Sequence, residues 1–318
     1  MQDLPTREEY RKQQEELKKK NTQQDNISKR EEIRKKAESL EQNYRSKKKK
    51  LRFKKWVIAI FLLFFLSLLT ISGLEIYNWL IDNNKTNNLQ DDIVDNTKIK
   101  EKKDTKKTEQ VNPPEDKSDD YWDYMKMNLL EVDFNALLQK NHDTVGWIEV
   151  KGTNINYPIV QTTDNNYYLH HAFDKSKNDA GWVYMDYRND SVNFDQNTII
   201  YAHSRYNGTM FGSLKNILNS SWYNNKNNYI IRLSTPTENT MWQVFSVYTI
   251  EKESYYITTN FSTTESYNEF LKTMKNRSNV NFTATPNTND KILTLSTCKD
   301  NFGSRVVMQA KLIKREVR

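Results

Sequence analysis

KILTLSTC, Lys291 to Cys298, is followed by the turn-rich KDNFGS and then by RVVMQAKLIK, Arg305 to Lys314. Both apolar runs are short and rich in β-branched residues, so they read as two strands around a connecting loop. If they pair as a hairpin, Cys298 and Arg305 face each other at its open end. A guanidinium beside a sulfur can stabilise a thiolate, or donate to the oxyanion formed when a thiol attacks a carbonyl. Cys298 is the only cysteine of the 318 residues, so it has no disulfide partner within the chain.

A cysteine nucleophile needs a proton carrier. Four histidines are available: His142, His170, His171 and His203. His203 closes the strand-like NTIIYAH just before the polar turn SRYNG, and so can meet a second strand end. His142 falls in a loop, and His170 and His171 in a Tyr-rich helical stretch. Adjacent residues of a helix do not share a face, so no metal site is expected from that pair. No Gly-rich phosphate loop is present. A small buried cysteine beside unrelated surface residues remains the alternative to a Cys/His/Arg site at this point.

Further upstream, VGWIEV (Val145–Val150), TNINYPIVQ (Thr153–Gln161, with Pro158 at an edge), YIIRLST and MWQVFSVYTIE read as strands or extended segments. AGWVYMDYR, Ala180 to Arg188, is extended too. DNNYYLHHAF and GTMFGSLKNIL suggest short helices, and TTESYNEFLKTMKNRS, Thr263 to Ser278, an amphipathic one. Tyr121 to Asn141 reads as one or two helices, with Asp133 able to cap FNALLQKN. Many short strands with few helices predict one mixed, mainly β barrel.

The first third of the chain differs. Mean hydropathy is -0.90 overall, yet Trp56 to Leu74 holds 19 consecutive uncharged, mostly apolar residues. At about 1.5 Å per residue that run roughly spans a 30 Å hydrocarbon core. More than fifty residues precede it, which predicts a retained anchor in preference to a signal peptide. SKKKKLRFKK, Ser46 to Lys55, places seven Lys/Arg directly before the run, so the N-terminus is expected in the cytoplasm and the remainder outside the cell. Nineteen Lys/Arg against ten Asp/Glu give residues 1–55 a charge of +9; the whole chain is +7, so the rest is -2. The basic excess therefore belongs to the membrane flank, which argues against nucleic-acid binding. Residues 5–45 read as a solvated, partly formed helix, and Asn83 to Ser118 as a polar stalk. The expected organisation is a cytoplasmic arm (1–55), a transmembrane helix (56–74), an extracytoplasmic linker (75–119) and a catalytic domain (120–318).

TLSTC, Thr294 to Cys298, followed by RVVMQAKL, resembles the signature of the sortases, and NTIIYAHSRYNGTMFGSL resembles their histidine region. NHDTVGWIEVKGTNINYPIVQTTDNNYYLHHAF is similar to the start of a class B catalytic domain, and the helix before the cysteine strand matches the same class. The resemblance covers about residues 125 to 314. It implies an eight-stranded β-barrel with N-terminal helices. It also implies Cys298 as nucleophile, His203 as acid/base and Arg305 as the oxyanion and positioning group. Asn165, Leu169 and Ser296 then line the groove for the signal peptide. The implied reaction cleaves a C-terminal sorting signal of a secreted protein after threonine. It proceeds through a thioacyl-enzyme, which a peptidoglycan precursor amine resolves, with no cofactor. A pilin lysine as the resolving amine, and an inactive wall-associated scaffold, are the alternatives. Only six residues separate Cys298 from Arg305, a short loop for the class. Asp300, two residues after the cysteine, is given no catalytic role.

Overall fold

The computed structural model describes residues 7–251, 253–297 and 303–318. Cys298 and Asp300 therefore lie outside the described residues. The chain divides into two compact units, Met1–Ile76 and Tyr77–Arg318. One long helix, α1 (Arg7–Asn96), contributes to both. Within the first unit the charged arm is helical and exposed, and the side chains of Trp56, Phe61, Phe64, Phe65 and Leu69 are exposed as well. An apolar run of this length with its side chains turned outward has the surface of a membrane anchor.

The second unit is built on a closed barrel. Its strands are β4 (Thr144–Val150), β5 (Asn156–Val160), β6 (Tyr184–Met185), β7 (Asn197–Ala202), β8 (Ile230–Ser234), β9 (Glu238–Glu251), β10 (Ile292–Thr297) and β11 (Ser304–Val317). Around the barrel the order is β10-β7-β6-β5-β4-β8-β9-β11, and β11 closes back onto β10. The expected eight-stranded barrel is therefore present. Two helices, α2 (Tyr121–Tyr124) and α3 (Phe134–Lys140), precede its first strand; α4 (Ser220–Tyr223) lies in the connection from β7 to β8, and α5 (Thr264–Asn276) precedes the last hairpin.

β10 is buried on both faces, and its sequence says how. Leu293 and Leu295 enter the main core with Trp147, Trp182 and Trp242, while Ile292 belongs to a second cluster beneath α5. α5 begins with a capping box between Thr263 and Ser266 and buries Tyr267, Phe270, Leu271 and Met274. Burial of each such apolar side chain contributes roughly 1.5–3 kcal/mol. A strand covered on both sides shows an apolar run in place of strict alternation.

The polar stretch expected as a stalk is ordered against the barrel. α1 continues to Asn96 and buries Asn83, Thr86 and Ile93. β1 (Ile99–Lys102) then pairs with β3 (Leu129–Val132), and β2 (Thr108–Gln110) pairs with β11. Charge holds this segment: Lys102 Nζ lies 2.9 Å from Glu316 Oε1, and Lys314 Nζ 2.5 Å from Asp104 Oδ1. Local composition could not reveal partners some two hundred residues away.

Other expectations change in detail. Within Tyr121–Asn141, LLEV is a strand because Leu129, Leu130 and Val132 are buried against their neighbours. Asp133 caps α3, accepting from the Asn135 N–H. DNNYYLHHAF contains only a 3-10 turn, Tyr167–Leu169, and GTMFGSLKNIL a 3-10 helix, Gly212–Leu218. Pro158 sits in an interior strand and not at an edge. β5 meets β6 only at Val160↔Tyr184, which leaves room there for a residue without an N–H.

Candidate active site

β7 and β10 run parallel, in register through Thr297↔Ala202. They therefore end together, each one residue before a predicted site residue: His203 after β7 and Cys298 after β10. β11 begins at Ser304 beside the end of β9, at Glu251, on the same rim. The β10–β11 pairing is antiparallel and extends to Ser296↔Val307.

At the β11 end, Arg305 is half-buried and donates from Nη1 to the Thr297 carbonyl at 2.7 Å. The Val306 N–H donates to Thr297 Oγ1 at 2.9 Å. Thr297, the last described residue before Cys298, is thus held by both its carbonyl and its hydroxyl. The fork geometry of a guanidinium leaves further N–H donors beyond the one spent on Thr297.

His203 donates from Nε2 to the Leu169 carbonyl at 2.9 Å. A carbonyl oxygen only accepts, so the neutral imidazole keeps its lone pair on Nδ1. Burial holds the His203 pKa below its ordinary value; the Leu169 carbonyl opposes this, and the charges of Arg205 and His170 add to the lowering. The ring is close-packed by backbone. Gly181 has φ +61, and a Cβ there would meet the Tyr168 carbonyl at 2.6 Å and His203 Cδ2 at 3.0 Å. A neutral imidazole with one nitrogen fixed and the other bare can accept and return a proton.

The three residues expected along the peptide groove differ in setting. Leu169 is half-buried and supplies the carbonyl that holds His203. Asn165 is half-buried, and its Oδ1 accepts from the Tyr187 N–H at 3.0 Å. Ser296 is fully buried, with its hydroxyl 3.0 Å from the Tyr256 hydroxyl. Its side chain belongs to the packed layer under the rim, because outward-facing positions of β10 are covered by the segment around Tyr256 and α5.

The other histidines have local roles. His171 stacks on Tyr167 with ring centroids 4.0 Å apart and bonds the Tyr167 carbonyl, and His142 is an exposed neighbour of Asp143. Sequence reasoning missed a buried support beneath β7. Asp186 is fully buried, ion-paired with Arg188 at 2.7 Å, and accepts from the Tyr201 hydroxyl at 3.0 Å. Arg188 and Tyr201 hold the Asp186 carboxyl below its usual range despite the opposing cost of burial, which is the largest single effect. The motif MDYR carries the i, i+2 pair in plain view, but only the barrel brings Tyr201 to it. Gly181 and Arg205 were missed as well; their signal was proximity in the fold alone.

Comparison with known proteins agrees with this geometry. The family model described as Sortase domain matches residues 148–313. Sortase B of Staphylococcus aureus (strain NCTC 8325 / PS 47) is 36% identical over 184 residues, covering 57% of this chain and 75% of the relative. A solved Staphylococcus aureus sortase B–substrate complex superposes with a TM-score of 0.54 at 36% identity, covering 57% of this chain and 84% of that one. The crystal structure of sortase B from Bacillus anthracis gives a TM-score of 0.59 at 32% identity, covering 74% of this chain and 99% of that one.

Proposed function

Because the chain belongs to the sortase family, and within it to the sortase B cysteine transpeptidases, we propose that Cys298, His203 and Arg305 form its catalytic set. The Cys298 sulfur attacks the carbonyl carbon after threonine in the sorting signal, and its proton passes to His203. Arg305 faces the developing oxyanion. His203 then gives its proton to the departing amine as the C–N bond breaks, leaving a thioacyl-enzyme. An amine of a peptidoglycan precursor attacks the thioester, His203 takes the surplus proton, and the thiol is regenerated with the substrate joined to the wall precursor.

The observation that carries this reading is the parallel register Thr297↔Ala202, with Arg305 donating to the Thr297 carbonyl. Two strands ending together supply neighbouring exits for the nucleophile and the base. Asn165 and Leu169, on the segment that holds His203, are proposed to border the signal-peptide groove; Ser296 would support that groove from below. The apolar run at 56–74 and its basic flank support an anchored enzyme with a cytoplasmic N-terminus and an external catalytic unit.

The test is incubation of the full chain with a library of sorting-type pentapeptides and candidate amines. Wild type should form a thioacyl adduct at Cys298, and Cys298→Ala should form none. An adduct that persists in the variant sinks the nucleophile assignment. Preferential release by a peptidoglycan-type amine supports wall anchoring, whereas release only by a lysine side-chain amine overturns it in favour of protein polymerisation. Protease added to intact protoplasts should remove the catalytic unit and spare residues 1–55; the reverse pattern overturns the orientation.

A further inference from the structure

The segment that leaves β7 through His203 is gripped by the last turns of α1. Two residues beyond His203, Arg205 donates from Nη2 to Asn83 Oδ1, and its guanidinium lies 5.8 Å from the centre of the Trp79 ring. The Trp79 ring is exposed, whereas Asn83 is 6% exposed, so its hydrogen bond to the half-buried Arg205 is shielded from water. Its shielding strengthens the hydrogen bond to a charged group and makes its loss costly.

One helical turn further on, Thr86 Oγ1 accepts from Asn178 Nδ2 at 3.1 Å, with both residues buried. Asn178 Oδ1 in turn accepts from the Ala180 N–H at 2.8 Å, and the Asn178 N–H donates to the His170 carbonyl at 2.9 Å. Ala180 precedes Gly181, whose missing Cβ accommodates the His203 ring. Asn83 and Thr86 are three residues apart and so share a helix face. That face reaches both stretches that bracket the imidazole.

We propose that Arg205, clamped by Trp79 and Asn83, is a positioning residue for His203, so that the end of α1 sets the turnover of the site. This rests on His203 being the acid/base. The physical reason is geometric. The His203 side chain is anchored by the Leu169 carbonyl, and its main chain by the Phe211 N–H, which donates to the His203 carbonyl at 3.0 Å; its further constraint is the path of the chain after β7. The Ser204–Met210 bridge shapes that path locally, and Arg205 ties it to α1 by a side chain reaching across 122 positions of sequence. A packing role alone would be served by an apolar side chain, whereas a guanidinium here carries its charge at a cost of burial. Its Nε has no hydrogen-bond partner among the described residues, so the residue is held for its fork and charge at some expense. Displacing a catalytic group by about 1 Å can cost on the order of a hundredfold in rate.

The experiment uses the full chain in detergent micelles and a fluorogenic sorting-signal peptide. Arg205→Gln and Asn83→Ala should each lower kcat by roughly tenfold with KM within about twofold. The double variant should be no slower than Arg205→Gln alone, because both changes break one link. The charged groups acting on His203 are Arg205, His170 and Asp179. Removing the Arg205 cation should therefore move the acid limb of the kcat/KM profile to higher pH, while Arg205→Lys should leave it in place and recover part of kcat. Unchanged kcat in both single variants, multiplicative losses in the double, or activity that falls only in step with melting temperature would overturn the clamp. Should Arg205→Gln fail to fold, Arg205→Lys and Asn83→Ala carry the same comparison. His203→Ala is the control: if it stays active, the acid/base reading beneath the clamp falls; if it is dead while the Arg205 variants are unaffected, the clamp alone falls.

Discussion

His203 Nε2 and the Leu169 carbonyl lie 2.9 Å apart, and this contact joins the proposed base to the segment proposed to border the peptide groove. A peptide that moved Leu169 would move the imidazole with it. The same contact fixes the tautomer, since the carbonyl can only accept.

Burial, opposed by that carbonyl and aided by Arg205 and His170, leaves His203 harder to protonate in the folded chain than in the unfolded one. The unfolded chain then binds the extra proton first. The contribution of His203 to stability is full above its unfolded pKa of about 6.5 and is lost as pH falls below that value. Melting temperature should fall between pH 7 and pH 5 more steeply for the wild type than for His203→Gln. Parallel curves would refute this.

Gly181→Ala should damage both stability and turnover. The left-handed φ of +61 costs an alanine roughly 1–2 kcal/mol. The new methyl would press on the Tyr168 carbonyl, which accepts from the Trp182 N–H, and on His203, which is held by the Leu169 carbonyl. A chemical denaturation curve gives the first effect and peptide turnover the second. Activity retained at the wild-type level would show that the His203 ring is not constrained from this side.

Arg305→Ala should lower turnover by about 10²–10³-fold, the range for loss of one oxyanion donor, with a much smaller change in melting temperature because the side chain is only half-buried. Arg305→Lys keeps the charge but not the fork, so it should restore little. Equal loss of activity and stability in Arg305→Ala would make its bond to Thr297 a structural tie only.

The barrel rim opposite the site depends on a buried ion pair. Lys311 Nζ lies 3.1 Å from Asp290 Oδ2, and Asp290 directly precedes the segment leading into β10. Lys311→Met should destabilise by about 3–5 kcal/mol, because it strands a buried carboxylate. Lys311→Met with Asp290→Asn should cost less, since no charge is stranded and the amide oxygen can still accept from the Asn287 N–H. Urea titration of both variants makes the comparison; equal costs would show that the charge is not what is being stranded.

The parts of the fold legible in the sequence are those with strong local signals. α5 announces itself by Thr263, Ser266 and the spacing of Tyr267, Phe270, Leu271 and Met274; β7, β8, β9, β10 and β11 by their β-branched runs; the apolar helix segment by 19 uncharged residues. The polar stretch from Asn83 was misread, because Lys102, Asp104, Thr105 and Thr108 look solvated until Glu316 and Lys314 of β11 are placed beside them. DNNYYLHHAF and AGWVYMDYR yielded less regular structure than expected. Their backbone groups are satisfied by cross-chain partners such as the Trp182 N–H to the Tyr168 carbonyl at 2.8 Å.

The residue types and their order, a histidine closing one strand and a cysteine closing another with an arginine after it, are properties of the sequence alone. They fit the proposed chemistry because these side chains can supply a nucleophile, a proton carrier and a fixed cation. That β7 and β10 end side by side, that Leu169 holds His203, and that Gly181 and the end of α1 pack around its segment are decided by barrel closure. Those relationships join residues tens to more than a hundred positions apart, and no local periodicity encodes a contact whose partner is chosen only when the strands close into register.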